Sequence, residues 1–468
     1  MKFGTSGVRG LVVDMTDPAC AAWVSGFLRH LRASGVPPTA VLVGRDRRPS
    51  SPRIARACAA AIAAEGLTAL DAGIVPTPAL ALAAAERGMP AVMVTGSHIP
   101  FDRNGLKFYR PDGEITKADE AGILAARPEP TALPAATGAP VAIGEAYLER
   151  NVGFFGEGAL RGLRVGVYRH SAAGRDIVAA ALERLGAEAV PIGESETFVP
   201  IDTEAVDAAV ARQIAAWVGE HRLDALVSTD GDGDRPLVAD ETGSVLRGDA
   251  LGIVAAHALG ADAVAAPVNV STALERSGWF ARTRRTRIGS PFVIAAAAAL
   301  AAEGARLPVA FEANGGFLLA GTAERDGRRL APLPTRDALL PMLALLVEAA
   351  RTGRSVSAVM ATLPPRATAS GRLEAVPEAA SRALIARLEA TAAARDALGA
   401  RVAGSPVAAV DTTDGLRMTL ESGEILHLRP SGNAPELRCY AEAEVEARAT
   451  ALTEATLAAV RALLAEAP

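Results

Sequence analysis

Short apolar runs alternate with Ala-rich stretches of helical period through the first third of the chain: AVLVG (40–44), PRIARACAAAIAAEG (52–66) and AVMVTG (91–96). Continuous apolar runs bounded by glycine predict buried strands, and apolar residues three and four apart predict a helix packed on one face. The cycle recurs as RVGVY (164–168), a helical stretch over about 174–185, and ALVSTD (225–230). It comes a third time as AVAAPVN (263–269), a helix over 291–303, and LPVAFEAN (307–314). Three α/β units are the simplest account. After about Thr352 the rhythm changes to RLEAV, one long helix from Glu378 to about Leu398, a hairpin around 421–423 and a final helix from Glu444, which predicts an α+β module. The stretch 127–140, dense in Pro, Ala and Thr, predicts a linker. The expected divisions are 1–138, 139–243, 244–352 and 353–468, with no fixed-period repeat.

Composition narrows the function classes. The 468 residues exceed one hydrophobic core; half are apolar and 22% charged, so a folded multidomain chain is expected. A net charge of -5 gives no overall reason to bind nucleic acid or an anionic membrane, so an anion site must be built locally. The opening MKFGTSGVRG breaks up any apolar stretch of secretory type, and the most apolar later segment, 338–350, is short and contains Glu348. Cys20, Cys58 and Cys439 are far apart and odd in number, which argues against a disulfide framework or a zinc site. A cytoplasmic protein is expected.

Three of the predicted strands, VMV, ALV and VAF, run into polar glycine-containing loops: TGSHIP, STDGDGDR and FEANGG. Ligands of open α/β sheets collect at the carboxyl ends of strands, so the three loops are expected to face a common cleft. In DGDGDR, Asp230, Asp232 and Asp234 alternate, and an extended loop projects them to one side. Three carboxylates packed this closely repel one another unless neutralised, and an oxygen-only set suits magnesium. An EF-hand would need glycine where Arg235 stands, whereas a phosphatase with an aspartyl nucleophile also places acids after a strand and stays open. Ser97 at a strand end and Lys107 on the next strand supply a nucleophile and a cation, although Ser97 and His98 are also ordinary turn residues. GxSxG is absent, which weighs against a serine hydrolase. In RPSGNAPELR, Arg429, Ser431, Gly432, Asn433 and Arg438 combine guanidinium forks with hydroxyl, amide and backbone donors, either a grip for a phosphate dianion or a solvated polar turn. Glu312 and Asn314 of FEANGG offer hydrogen bonds to sugar hydroxyls, or simply a strand-to-helix turn.

Taken in order, FGTSGVRG, TGSHIP with NGLK, DGDGDR, FEANGG and RPSGNAP resemble the motifs of the α-D-phosphohexomutase superfamily, from Phe3 to beyond Arg438. The resemblance implies four domains around a central cleft, three α/β and a smaller α+β carboxy-terminal one. It implies that Ser97 carries a phosphoryl group and that Asp230, Asp232 and Asp234 bind Mg2+ together with the phosphorylated Ser97. It further implies that Arg9, His98, Lys107 and Arg235 surround the transferring phosphate, with Lys107 the favoured proton-transfer group. Glu312 and Asn314 would meet the sugar; Arg429, Ser431, Gly432, Asn433 and Arg438 would hold the phosphate that is not reacting. Two motifs depart from the usual pattern: Asn314 stands where a GExSG-like loop has Ser, and Asn433 and Ala434 replace the Thr and Glu of RxSGTEP. The implied reaction interconverts hexose 1- and 6-phosphates through a hexose 1,6-bisphosphate, with mannose phosphates preferred and glucose or glucosamine phosphates as alternatives. Partners would be small hexose phosphates only, and the protein a monomer or homodimer. A noncatalytic sugar-phosphate sensor is the reading from a different class, opposed by the co-occurrence of Ser97, Lys107 and the acidic triad.

Overall fold

Strands Ala40–Arg45 and Ala91–Val94 are buried almost end to end, as parallel strands covered on both faces must be. Their alternate residues enter different cores: Val41, Val43, Val92 and Val94 on one face, Leu42, Ala91 and Met93 on the other. The computed structural model describes residues 1–4, 7–431 and 435–465. Gly432 and Asn433, expected in the phosphate grip, lie outside the described residues. The chain forms two units, Met1–Val264 with Gly289–Thr362, and Ala265–Ile288 with Leu363–Pro468.

The first unit holds two whole sheets, part of a third, and a separate two-stranded pair of Ala323–Arg325 with Arg328–Leu330. In the first, Lys2–Phe3, Val8–Leu11, Arg103–Arg110, Ala91–Val94, Ala40–Arg45, Thr68–Ile74 and Ala139–Pro140 lie side by side in that order. The strands from Ala91–Val94 to Ala139–Pro140 are parallel, and those on the other side pair antiparallel. Helices Asp17–Ala33 and Ser51–Ala64 fill one face and Thr77–Arg87 the other. The second sheet runs Glu188–Ile192, Arg164–Tyr168, Ala225–Thr229, Pro236–Asp240, the last strand antiparallel, so that 230–235 becomes the turn between the final pair. In the third, Pro308–Phe311, Phe317–Leu319 and Leu333–Asp337 pair antiparallel, followed by the buried helix Leu339–Thr352.

In the second unit Ala367–Glu374, Glu436–Ala443, Ile425–Pro430, Leu416–Leu420 and Val407–Asp411 form an antiparallel sheet. Its apolar face packs on helices Glu378–Ala390, Ala392–Ala403 and Glu446–Ala465. The single long helix expected from Glu378 is therefore two, interrupted at Thr391 with φ −128° and ψ 109°. A β-branched residue is a weak helix former, and the break lets Leu384 and Leu388 before it and Leu398 after it enter one core. Among the described residues no helix is long and apolar enough to cross a membrane, and all three cysteines are buried free thiols.

Candidate active site

Ser97 leaves its strand with a left-handed backbone, φ 55°, which costs a residue with a side chain about 1–2 kcal/mol. Its amide donates to Thr95 Oγ1 at 2.8 Å, and its hydroxyl donates to Asp230 Oδ2 at 2.5 Å. His98 Nδ1 stands 3.2 Å from the same hydroxyl. Burial, reinforced by Arg235 and Arg9, pushes the His98 imidazole down to about 2, so it is neutral at neutral pH.

Asp230, Asp232 and Asp234 are buried, with ligand oxygens all within 4.8 Å of one another. Gly233, at φ 72°, allows the turn to close over them. Such a cluster survives only if cations balance it. Lys107, on the antiparallel neighbour of the serine strand, sends its ammonium to Asp232 Oδ2 at 2.6 Å and Asp234 Oδ2 at 2.7 Å. Arg336 reaches Asp234 Oδ2 through two nitrogens at 2.8 and 3.1 Å, and Arg235 Nε lies 3.8 Å from Asp234 and 4.0 Å from Asp230. The Thr77 hydroxyl donates to Asp232 Oδ2 at 2.7 Å.

These contacts separate the three acids. Burial, then the charges of Asp232 and Asp234, drives the Asp230 carboxyl well above the usual carboxylate range. Burial also disfavours the charged form of Asp234, but Arg336, Lys107 and Arg235 outweigh it and hold that carboxyl far down. Burial opposes the charge of Lys107 too, and Asp232 and Asp234 overcome it, so the ammonium is firmly protonated. Arg9, opposite Gly105 in the sheet, is lowered to about 10 by burial and by Arg235 and Arg336, and is still a cation at neutral pH.

The cluster suits a divalent metal on its own evidence of unmet demand. Asp232 Oδ1 and Asp234 Oδ1 are buried and have no hydrogen-bond partner, the donors are all oxygen, and the raised Asp230 is the acid a dication would return to its charged form. Asp230, Asp232 and Asp234 are the residues that would hold it.

The third loop joins the same cluster. Glu312 follows strand Pro308–Phe311, and its Oε2 accepts from Arg336 NH1 at 3.1 Å. Asn314 is buried; its side-chain oxygen accepts from the Gly316 amide at 2.9 Å and its carbonyl from the Thr203 hydroxyl at 3.0 Å. Its amide oxygen is therefore engaged in shaping the turn. In the second unit, Arg429 Nε sits 2.8 Å from Asp414 Oδ2. Arg429 faces Arg438 across neighbouring strands, and Arg438 faces Arg372 on the other side, a row of three guanidinium groups on one sheet face. Ser431 is buried, with its amide donating to Glu436 O at 2.9 Å.

Sequence reasoning missed Arg336 and Thr77. Arg336 stands in LPTRDALLP, where one cation within an apolar run was the available signal. Thr77 lies at the start of a helix beside prolines and carried none.

Four profiles of the phosphoglucomutase/phosphomannomutase family match in chain order: alpha/beta/alpha domain I over residues 1–131, domain II over 145–243, domain III over 247–367 and the C-terminal domain over 375–459. A phosphomannomutase of Sinorhizobium fredii is 45% identical over 453 residues, 95% of each chain. A phosphomannomutase of Salmonella muenchen is 44% identical over 470 residues, covering 100% of this chain and 97% of the relative. In fold the protein is similar to a phosphoglucomutase/phosphomannomutase family protein of Burkholderia thailandensis, with a TM-score of 0.76 and 23% identity over 99% of this chain and 98% of the other. With four matched domains and near half-identity along its whole length, the chain belongs to the phosphoglucomutase/phosphomannomutase family of the α-D-phosphohexomutase superfamily.

Proposed function

We infer that this protein is a phosphomannomutase that interconverts mannose 1-phosphate and mannose 6-phosphate through phosphorylated Ser97 and mannose 1,6-bisphosphate. The observation that carries the reading is the Ser97 hydroxyl, in a left-handed turn, 2.5 Å from an acid of a buried carboxylate triad. The 1- and 6-oxygens of a bound hexose lie at opposite ends of the ring, so direct passage of one phosphoryl group is ruled out by distance. With phosphate stored on Ser97, the free sugar hydroxyl attacks phosphorus, the bond from phosphorus to Ser97 Oγ breaks, and the hydroxyl proton leaves to a base. The bisphosphate then turns end for end and returns its other phosphoryl group to Ser97, restoring the enzyme.

Such transfers depend on alignment and charge stabilisation. Mg2+ held by Asp230, Asp232 and Asp234 would neutralise charge on the phosphoryl oxygens. Arg9 and Arg235 add positive charge beside Ser97. Lys107, held protonated, is in the form that donates a proton to an oxygen leaving phosphorus; neutral His98, 3.2 Å from Ser97 Oγ, is in the form that accepts one. Arg429, Ser431, Gly432, Asn433 and Arg438 would hold the distal phosphate, and Glu312 and Asn314 would read the ring.

The test is turnover of mannose, glucose and glucosamine 1-phosphates with added hexose 1,6-bisphosphate, beside the intact mass of purified protein. Mannose 1-phosphate is expected to turn over fastest, with glucose 1-phosphate a weaker substrate, and Ser97→Ala to be inactive and unphosphorylated. Preference for glucosamine would replace the substrate; an active Ser97→Ala variant, or stoichiometric release of inorganic phosphate, would remove the mutase reading.

A further inference from the structure

Arg48 has no exposed side-chain surface and lies in none of the loops that carry the chemistry. A buried guanidinium needs a partner for each of its five N–H groups, and Arg48 has five. Nε donates to Asp46 Oδ2 at 3.1 Å; one terminal nitrogen donates to the carbonyls of Pro100 and Arg103 at 2.6 and 2.9 Å; the other donates to those of Ser97 and Ile99 at 2.8 and 2.5 Å. Four of the five acceptors are thus backbone carbonyls of 97–103, the segment that begins at the reactive serine.

Behind the guanidinium, Asp46 fixes the other end of the turn. Its Oδ2 accepts from the Thr95 hydroxyl at 2.8 Å and the Gly96 amide at 3.3 Å, while Thr95 Oγ1 receives the Ser97 amide. Gly96 leaves no room for anything else: a Cβ there would lie 2.6 Å from the guanidinium carbon. In front, the guanidinium lies over the ring of Phe198, 4.1 Å from its centroid. A Cβ on Gly231, next to Asp230, would sit 2.7 Å from the Ser97 carbonyl oxygen and 3.1 Å from the Phe198 ring. The guanidinium edge therefore holds the serine turn, and its face meets the aromatic ring that packs against the acidic turn.

We propose that Arg48, seated on Phe198, is a positioning residue for phosphoryl transfer: it locks the 97–103 backbone so that the strained Ser97 presents its hydroxyl to Asp230. The inference rests on the mutase reading of Ser97. Arg48 touches neither substrate nor the reacting oxygen, so its removal should slow transfer without weakening ground-state binding of the sugar phosphate.

Arg48→Lys keeps the charge but supplies three donors at most, too few for five acceptors. A displacement of about 1 Å is enough to cost ~100-fold in the reacting step. The expected result is a kcat lowered about 100-fold with KM for mannose 1-phosphate within about threefold. Single-turnover phosphorylation of Ser97 by hexose 1,6-bisphosphate, followed by intact mass, should slow by the same factor. Phe198→Leu leaves all five hydrogen bonds and removes the ring; its kcat should fall about tenfold at unchanged KM, and it decides the matter if Arg48→Lys does not fold. Parental kcat per folded molecule overturns the proposal, as does a raised KM with kcat intact. Failure of the mutase reading looks different, because Ser97 of the parent protein then takes up no phosphate.

Discussion

Replacing Lys107 by Met should separate two properties that usually move together, stability and metal binding. The ammonium bridges Asp232 and Asp234 at 2.6 and 2.7 Å inside the protein. At an effective dielectric of ~20, Coulomb's law gives about 6 kcal/mol for one such pair. The net cost of deleting one partner of a buried pair is smaller, about 3–5 kcal/mol, and Arg336 and Arg235 still compensate Asp234 here. The Lys107 pKa is raised in the fold, so this stability is fully present below the unfolded lysine value and is lost only as the pH rises through the folded one; at neutral pH all of it is at stake. In chelator, Lys107→Met should melt ~5–10 °C below the parent, at ~2 °C per kcal/mol for a unit of this size. The same deletion removes a competitor for the carboxylate oxygens, so saturating Mg2+ should recover most of the loss and the apparent Mg2+ affinity should rise about tenfold, equivalent to ~1.4 kcal/mol. Activity should nevertheless fall ~100-fold or more, because the proposed mechanism uses this cation beside the transferring phosphate. Scanning calorimetry with EDTA and with Mg2+ measures the first two, and a coupled mutase assay the third. Equal destabilisation with and without Mg2+ would refute the reasoning, since Lys107 would then not be the group balancing the triad.

Three further outcomes follow from the same geometry. Arg336→Met unpairs Asp234 and Glu312 together and should lower kcat/KM ~100-fold or more, whereas Arg336→Lys, which cannot span both acids, should recover little; steady-state kinetics on mannose 1-phosphate decides. Gly231→Ala drives a Cβ to 2.7 Å from the Ser97 carbonyl and should cost about 1–3 kcal/mol, read as a lower melting temperature together with reduced turnover. Burial holds His170 and His427 neutral in the fold, each lowered to about 4. The unfolded chain therefore takes up protons first as pH falls below about 6.5, and stability should drop between pH 6.5 and 4 by up to about 3 kcal/mol per histidine. Urea midpoints at pH 7 and pH 5 should differ less in His170→Gln and His427→Gln than in the parent.

The α/β rhythm was legible because parallel strands buried on both faces carry uninterrupted apolar runs, and 40–44, 91–96, 164–168 and 225–230 all became strands within a residue or two. The Ser97 loop and the acidic turn, which the structure brings together, were legible for a related reason. A serine at a strand end and three alternating acids are local patterns, and the chemistry they need is written in adjacent positions. Where the reading stopped, partners were distant in sequence. The helix from Glu378 broke at Thr391 because both halves serve one core, a demand set by strands 416–443 and invisible in the helix's own period.

Arg336 and Arg48 show the same limit at the site. Neither belongs to a motif in its own segment, and nothing nearby in sequence requires a buried charge. The requirement comes from elsewhere: three packed carboxylates need more cations than Lys107 and Arg235 provide, and a left-handed serine needs acceptors tied down behind it. A search for the unmet demand would have asked which arginines lie on strands or strand ends of otherwise buried runs, and both do, Arg336 within Leu333–Asp337 and Arg48 just past Ala40–Arg45. Charge balance in a buried site is thus a stronger pointer to its outer members than any motif, and it predicts that the two arginines fail differently when replaced. Loss of Arg336 leaves acids unpaired and should be eased by added divalent cation. Loss of Arg48 leaves carbonyls unpaired, which no cation in solution can reach, so Mg2+ should restore neither its stability nor its turnover.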